Sequence, residues 1–175
     1  MSRFPIVQSE RVELVTAEAG GERIALMARV QTLEGAVVIS CVYFTHRRAD
    51  GAIRNRRLSQ AVELLAQFQQ PGEVAVIGGD FNMTTSGDYF QNAQFAEGVC
   101  LLDWQEIHDE KTAPKHPVPA VAGRVGRRID FLFGLEQEIS PAPKAVAAGC
   151  SGAEKDASTG AHPSDHALVW VDLEL

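Results

Sequence analysis

A chain of 175 residues has room for one sizeable core, and 45% hydrophobic against 22% charged residues is an ordinary globular balance, so one domain over residues 1–175 is expected. The formal net charge of −7 argues against coating nucleic acid through a broad basic face, although a few placed arginines can still hold a phosphate locally. No stretch reaches the length of a membrane span, the N-terminus lacks a signal-peptide pattern, and Cys41, Cys100 and Cys150 are too scattered for a disulfide framework or zinc site; a cytoplasmic protein with Cys41 in its core is the expectation.

Residues 11–17 and 23–31 alternate as two strands joined by a turn at Gly20-Gly21, and residues 36–44 form a third, more apolar strand, which together predict a meander. Residues 53–70 read as a helix, because Leu58, Val62, Leu65 and Phe68 recur at helical spacing and Pro71-Gly72 stops it. Its start is rich in arginine, which opposes the helix dipole and suggests a basic rim rather than helix stability. The run Val74-Ala75-Val76-Ile77 predicts a buried strand, which Gly78 and Gly79 end so that Asp80 and Asn82 stand at its edge. Residues 84–95 suit a loop followed by a short helix, and residues 109–126 a long surface loop of the kind that shapes binding sites. Residues 129–133 predict a strand carrying Asp130 among apolar neighbours, residues 149–160 a mobile Gly-, Ala- and Ser-rich loop, and residues 167–173 a last strand headed by Asp165-His166. A carboxylate at Asp130 needs a partner if buried, and His166 is a candidate, since a carboxylate fixes the tautomer of an imidazole and raises its basicity.

The order Thr45-His46, Arg57-x-x-Gln60, Gly78-Gly79-Asp80-Phe81-Asn82, Arg128-Ile129-Asp130 and Ser164-Asp165-His166 resembles the endonuclease/exonuclease/phosphatase superfamily, the fold of pancreatic DNase. Each motif alone has a bland reading: Asp80 as a turn former, Asp130 as a structural carboxylate, Tyr43 as a packed aromatic, His46 as a surface histidine. Their joint order disfavours all of these at once. The resemblance implies an α+β fold, a four-layer α/β/β/α sandwich of the DNase-like type. It implies that Asp80 orients or deprotonates the attacking water, that Asn82 holds the phosphate and that Asp165 belongs to a magnesium site, with manganese as the alternative ion. His166 and His46 would contact the phosphate, Asp130 would orient His166, and Tyr43 would support the scissile group. Arg47, Arg57 and Arg128 would form the basic rim that binds substrate.

The resemblance covers the later part of a typical member. The family's early Asn and its Gln-Glu magnesium carboxylate would precede Met1, since the chain's own Gln105-Glu106 follows the GGDFN motif. A chain incomplete at its N-terminus, completed by a missing segment or by a homo-oligomer, is therefore expected. The expected activity is metal-dependent hydrolysis of phosphodiester or phosphomonoester bonds, with DNA or RNA as first substrate. The alternatives are a lipid or inositol-phosphate phosphatase, and a catalytically impaired remnant or binding module.

Overall fold

The computed structural model describes residues 2–15, 23–44, 51–82, 98–103, 130–138, 140, 143–151, 158–159 and 168–175. Among them the elements run β1 (Ile6–Leu14), β2 (Arg23–Gln31), β3 (Ala36–Tyr43), α1 (Gly51–Phe68), β4 (Val74–Asp80), β5 (Cys100–Asp103), β6 (Asp130–Glu136), β7 (Lys144–Ser151) and β8 (Leu168–Glu174).

β1 to β3 form the expected antiparallel meander. β4 then joins β3 in parallel, which the helix-length crossover through α1 permits. β6 runs antiparallel to β4 and β5 pairs with its far side, giving a six-stranded sheet of order β1-β2-β3-β4-β6-β5, while β7 and β8 form a separate two-stranded sheet. Helix on one side and small sheet on the other make the class α+β, as expected.

Alternation along the strands sends every second side chain to α1. The helix presents Leu58, Ala61, Val62 and Leu65 at positions i, i+3, i+4 and i+7, and these close a core with Val38, Val42, Ala75, Ile77, Phe133 and Leu135. On the opposite face Val76 and Leu132 pack against Ala145, Val171 and Leu173 of the small sheet. That cover stops short of β2 and β3, where Leu26 is 49% and Ile39 39% exposed. Cys41 lies on this same open face and is exposed, so the core position expected of it is overturned.

The last turn of α1 contains no basic residue, and its terminal carbonyl is capped from outside the helix. Arg29 of β2 donates from Nη2 to the Phe68 carbonyl at 2.6 Å, pairs with Glu73 through Nε at 2.8 Å and lies over the Phe68 ring. A buried guanidinium is tolerated because each of these contacts replaces water.

Several boundaries differ from the sequence expectation. β1 starts at Ile6 because it is an edge strand, mostly exposed, whose polar residues hide its period. β5 and β7 were not anticipated. Residues 149–151, expected in a mobile loop, continue β7, whose Ala- and Gly-rich sequence has weak strand propensity and forms a strand by pairing with β8. The Gly20-Gly21 turn, residues 84–95 and residues 109–126 lie outside the described residues. No helix among the described residues is long and apolar enough to cross a membrane.

Candidate active site

The parallel pairing of β3 with β4 and the antiparallel pairing of β4 with β6 bring three expected residues to one rung at one edge of the sheet. Tyr43 stands opposite Asp80, and Asp80 opposite Asp130. Residues in register share a face, so all three occupy the side away from α1. Tyr43 is half exposed, while Asp80 and Asp130 are partly buried.

The two glycines of the motif make this rung attainable. Gly79 has φ +140°, and a Cβ there would sit 1.9 Å from the Val42 carbonyl oxygen, so the backbone of β4 approaches β3 more closely than any side chain allows. A Cβ at Gly78 would meet the Leu132 side chain at 2.5 Å, which can rotate away. The Phe131 carbonyl oxygen, 3.3 Å from that Cβ, is the nearest backbone atom there, so only at Gly79 does the backbone itself forbid a side chain.

Phe81 anchors the turn from below. It is fully buried and meets the rings of Phe44, Phe131 and Phe133 edge-on at centroid distances of 5.4, 5.6 and 5.3 Å. Each such pair contributes about 0.5–1.5 kcal/mol beyond area burial. The same short motif therefore raises one carboxylate to the edge and drives the next side chain into the core.

Asn82 completes the turn in the left-handed region at φ +50°, where asparagine is tolerated. Its backbone N–H donates to Asp80 Oδ1 at 2.8 Å, and its Nδ2 donates to Asp80 Oδ2 at 2.9 Å and to the Phe44 carbonyl at 2.7 Å. Both oxygens of Asp80 are held, which fixes the carboxylate rotamer. Both amide hydrogens of Asn82 are engaged in these contacts, so in this structure the side chain positions Asp80.

Arg57 is a second correction. It is completely buried instead of lining a rim, and its Nε donates to the Val15 carbonyl at 2.8 Å. Gln60, one turn on, accepts from the Val15 N–H at 2.7 Å and reaches the Glu13 carbonyl. The Arg-x-x-Gln pair thus clamps the end of β1 from one face of α1, as i, i+3 spacing allows. Arg54 is also buried, so the helix start is neither a solvated face nor a basic rim at these two positions.

His46, Arg47, Arg128, Asp165 and His166 lie outside the described residues. One contact escaped the sequence reading: the Arg23 guanidinium lies 4.8 Å from the Tyr43 ring centroid. Nothing in the pattern of β2 distinguishes an arginine that stacks from one that is solvated. Among the described residues no group of three or more His, Cys, Asp or Glu side chains could hold a metal ion.

With this geometry in place, the chain compares as follows. The model of the Endonuclease/Exonuclease/phosphatase family matches residues 1–169. A search of curated proteins gave no match. Among solved structures, Danio rerio TDP2 complexed with single strand DNA product is similar at TM-score 0.78 and 18% identity, covering 99% of this chain and 69% of that one. Truncated Caenorhabditis elegans TDP2 is similar at TM-score 0.71 and 18% identity, covering 95% and 64%. An endonuclease/exonuclease/phosphatase from Bacteroides vulgatus is similar at TM-score 0.71 and 19% identity, covering 98% and 66%. The chain thus spans about two thirds of the length of these structures, and at such identities the likeness shows a shared DNase-like fold.

Proposed function

The chain belongs to the endonuclease/exonuclease/phosphatase family, and from that premise we propose that it is a magnesium-dependent phosphoesterase whose first substrate is a nucleic-acid strand. The observation that carries this reading is the rung Tyr43, Asp80, Asp130, with Asp80 held on both oxygens by Asn82. Two carboxylates directly opposite one another repel by about 0.2–1 kcal/mol, so packing alone gives no reason to place them there. A site that must manage positive charge does.

Asp80 is the natural group to orient an attacking water and accept its proton, because its rotamer is already fixed. Asn82 acts through Asp80. Asp130 supports His166, and Tyr43 offers its hydroxyl to the substrate from the neighbouring strand. His46, Arg47 and Arg128 are proposed to contact the phosphate from the segments that adjoin this edge.

Asp165 would hold a hard cation through its carboxylate, magnesium with manganese as the alternative ion, while Asp80 keeps its role toward the water and Asp130 its role toward His166. Such an ion, when bound, supplies positive charge for the phosphate's oxygens and the leaving group.

The nucleic-acid assignment draws on the similar TDP2 that is complexed with a single-stranded DNA product. The net charge of −7 favours comparison with a lipid or inositol phosphate. The test is hydrolysis of bis-p-nitrophenyl phosphate, single-stranded DNA and inositol phosphates with magnesium, manganese or chelator. Chelator-sensitive cleavage lost in Asp80→Asn is the expected result. No turnover by the wild-type chain on any substrate would support the impaired remnant or binding module instead.

A further inference from the structure

We propose that Arg23 is a positioning residue of this site, acting through Tyr43; the inference rests on the phosphoesterase reading above. Arg23 opens β2, and its guanidinium lies over the Tyr43 ring at 4.8 Å. Tyr43 in turn occupies the rung with Asp80 and Asp130.

A tyrosine half exposed at the end of a strand has little packing to fix it, and its ring would otherwise exchange between rotamers. A guanidinium lying against the face narrows that choice, because its plane and charge both favour one pose. The contact is made with the ring and not with the hydroxyl. The backbone that carries Arg23 is fixed by its register opposite Leu14, at the end of β1 where Arg57 and Gln60 grip the adjoining Val15. The helix clamp, Arg23, Tyr43 and Asp80 therefore form one connected series from the core to the edge.

The charge also suits the place. Tyr43 lies beside a pair of carboxylates that repel a phosphate, and a cation behind its ring keeps this end of the rung favourable to an anion. Lysine would supply the charge without the planar stack.

A double-mutant cycle separates this role from a general structural one. Arg23→Gln, Arg23→Lys, Tyr43→Phe and the double variant Arg23→Gln/Tyr43→Phe are assayed on bis-p-nitrophenyl phosphate, with kcat and KM resolved. Spectra of protein labelled with 13C in the tyrosine ring follow Tyr43 directly, since the chain contains only Tyr43 and Tyr89. Expected are a loss of about tenfold in kcat/KM for Arg23→Gln, falling mainly on kcat, and a further loss of less than about twofold when Arg23→Gln is added to Tyr43→Phe. The Tyr43 ring resonance moves in Arg23→Gln, and Arg23→Lys restores neither resonance nor rate in full. Independent, multiplicative losses would show that Arg23 acts by itself and overturn the inference, as would full activity or an unmoved resonance in Arg23→Gln. A wild-type chain that hydrolyses nothing overturns the phosphoesterase reading and this inference with it. An active wild type indifferent to Arg23→Gln overturns the inference alone.

Discussion

Asp80 and Asp130 face one another across β4 and β6, the last residue of one strand against the first of the other. The register of an antiparallel pair sets this juxtaposition, so it survives any change in the loops that leave the sheet there. The carboxylate pair is a property of the sheet itself.

Asp80→Asn should abolish hydrolysis and lower stability by about 1–2 kcal/mol, because whichever way the new amide turns, one of its donors faces a donor of Asn82. Turnover assays and urea unfolding on the same preparation measure both. Asp130→Asn should lose only about 10-fold to 100-fold, as expected of a residue that supports another. Equal loss in the two variants would place Asp130 in direct contact with substrate.

The two motif glycines should differ sharply. Gly79→Ala puts a Cβ into the Val42 carbonyl at a positive φ and is expected to destabilise by about 3 kcal/mol or more, whereas Gly78→Ala displaces the Leu132 side chain and crowds the Phe131 carbonyl only at 3.3 Å, and should lose about half as much. Denaturant midpoints of the two variants decide the matter, and equal midpoints would mean that the sheet edge yields easily.

Phe81→Ala is expected to lose about 3–5 kcal/mol, the range for emptying a large buried aromatic site. Activity should fall with it, since the turn carrying Asp80 and Asn82 loses its anchor. A variant that unfolds at the wild-type temperature would show that the ring cluster is dispensable.

The Cys100 thiol donates to Glu136 at 3.1 Å, and burial first, then the hydrogen bond and charge of Glu136, hold its pKa above the ordinary thiol value. The thiolate therefore forms only at higher pH. Glu136→Gln removes the charge, so the thiolate should appear at lower pH and iodoacetamide should modify Cys100 faster at a fixed, mildly alkaline pH. Mass-spectrometric rates for the Cys100 peptide provide the measurement; a slower reaction in the variant would contradict the assignment.

What the sequence disclosed follows from how local each signal is. The α1 boundaries and the strands β2, β3 and β4 were legible because apolar period, helix spacing and the Pro71-Gly72 stop act within a few residues. Asp80 and Asp130 were named as site residues, but their direct opposition required the β4–β6 register, which joins distant segments. Arg57 was misread for the same reason: a helix-start arginine looks identical whether it points to solvent or to the Val15 carbonyl. Cys41 and Tyr43 share an alternating face whose cover depends on how far β7 and β8 extend, a fact no local pattern encodes.

The same register bears on the order in which the molecule assembles. β1, β2 and β3 pair with sequence neighbours, so their contacts close through short loops. The carboxylate pair instead joins positions fifty residues apart and must wait for the entropy of a long loop to be overcome. A nascent chain would thus possess a folded meander before it possesses a site. Pulse-labelling hydrogen exchange during refolding should show protection of the β2–β3 amides ahead of those pairing β4 with β6, so that the Asp80–Asp130 pair forms after the meander.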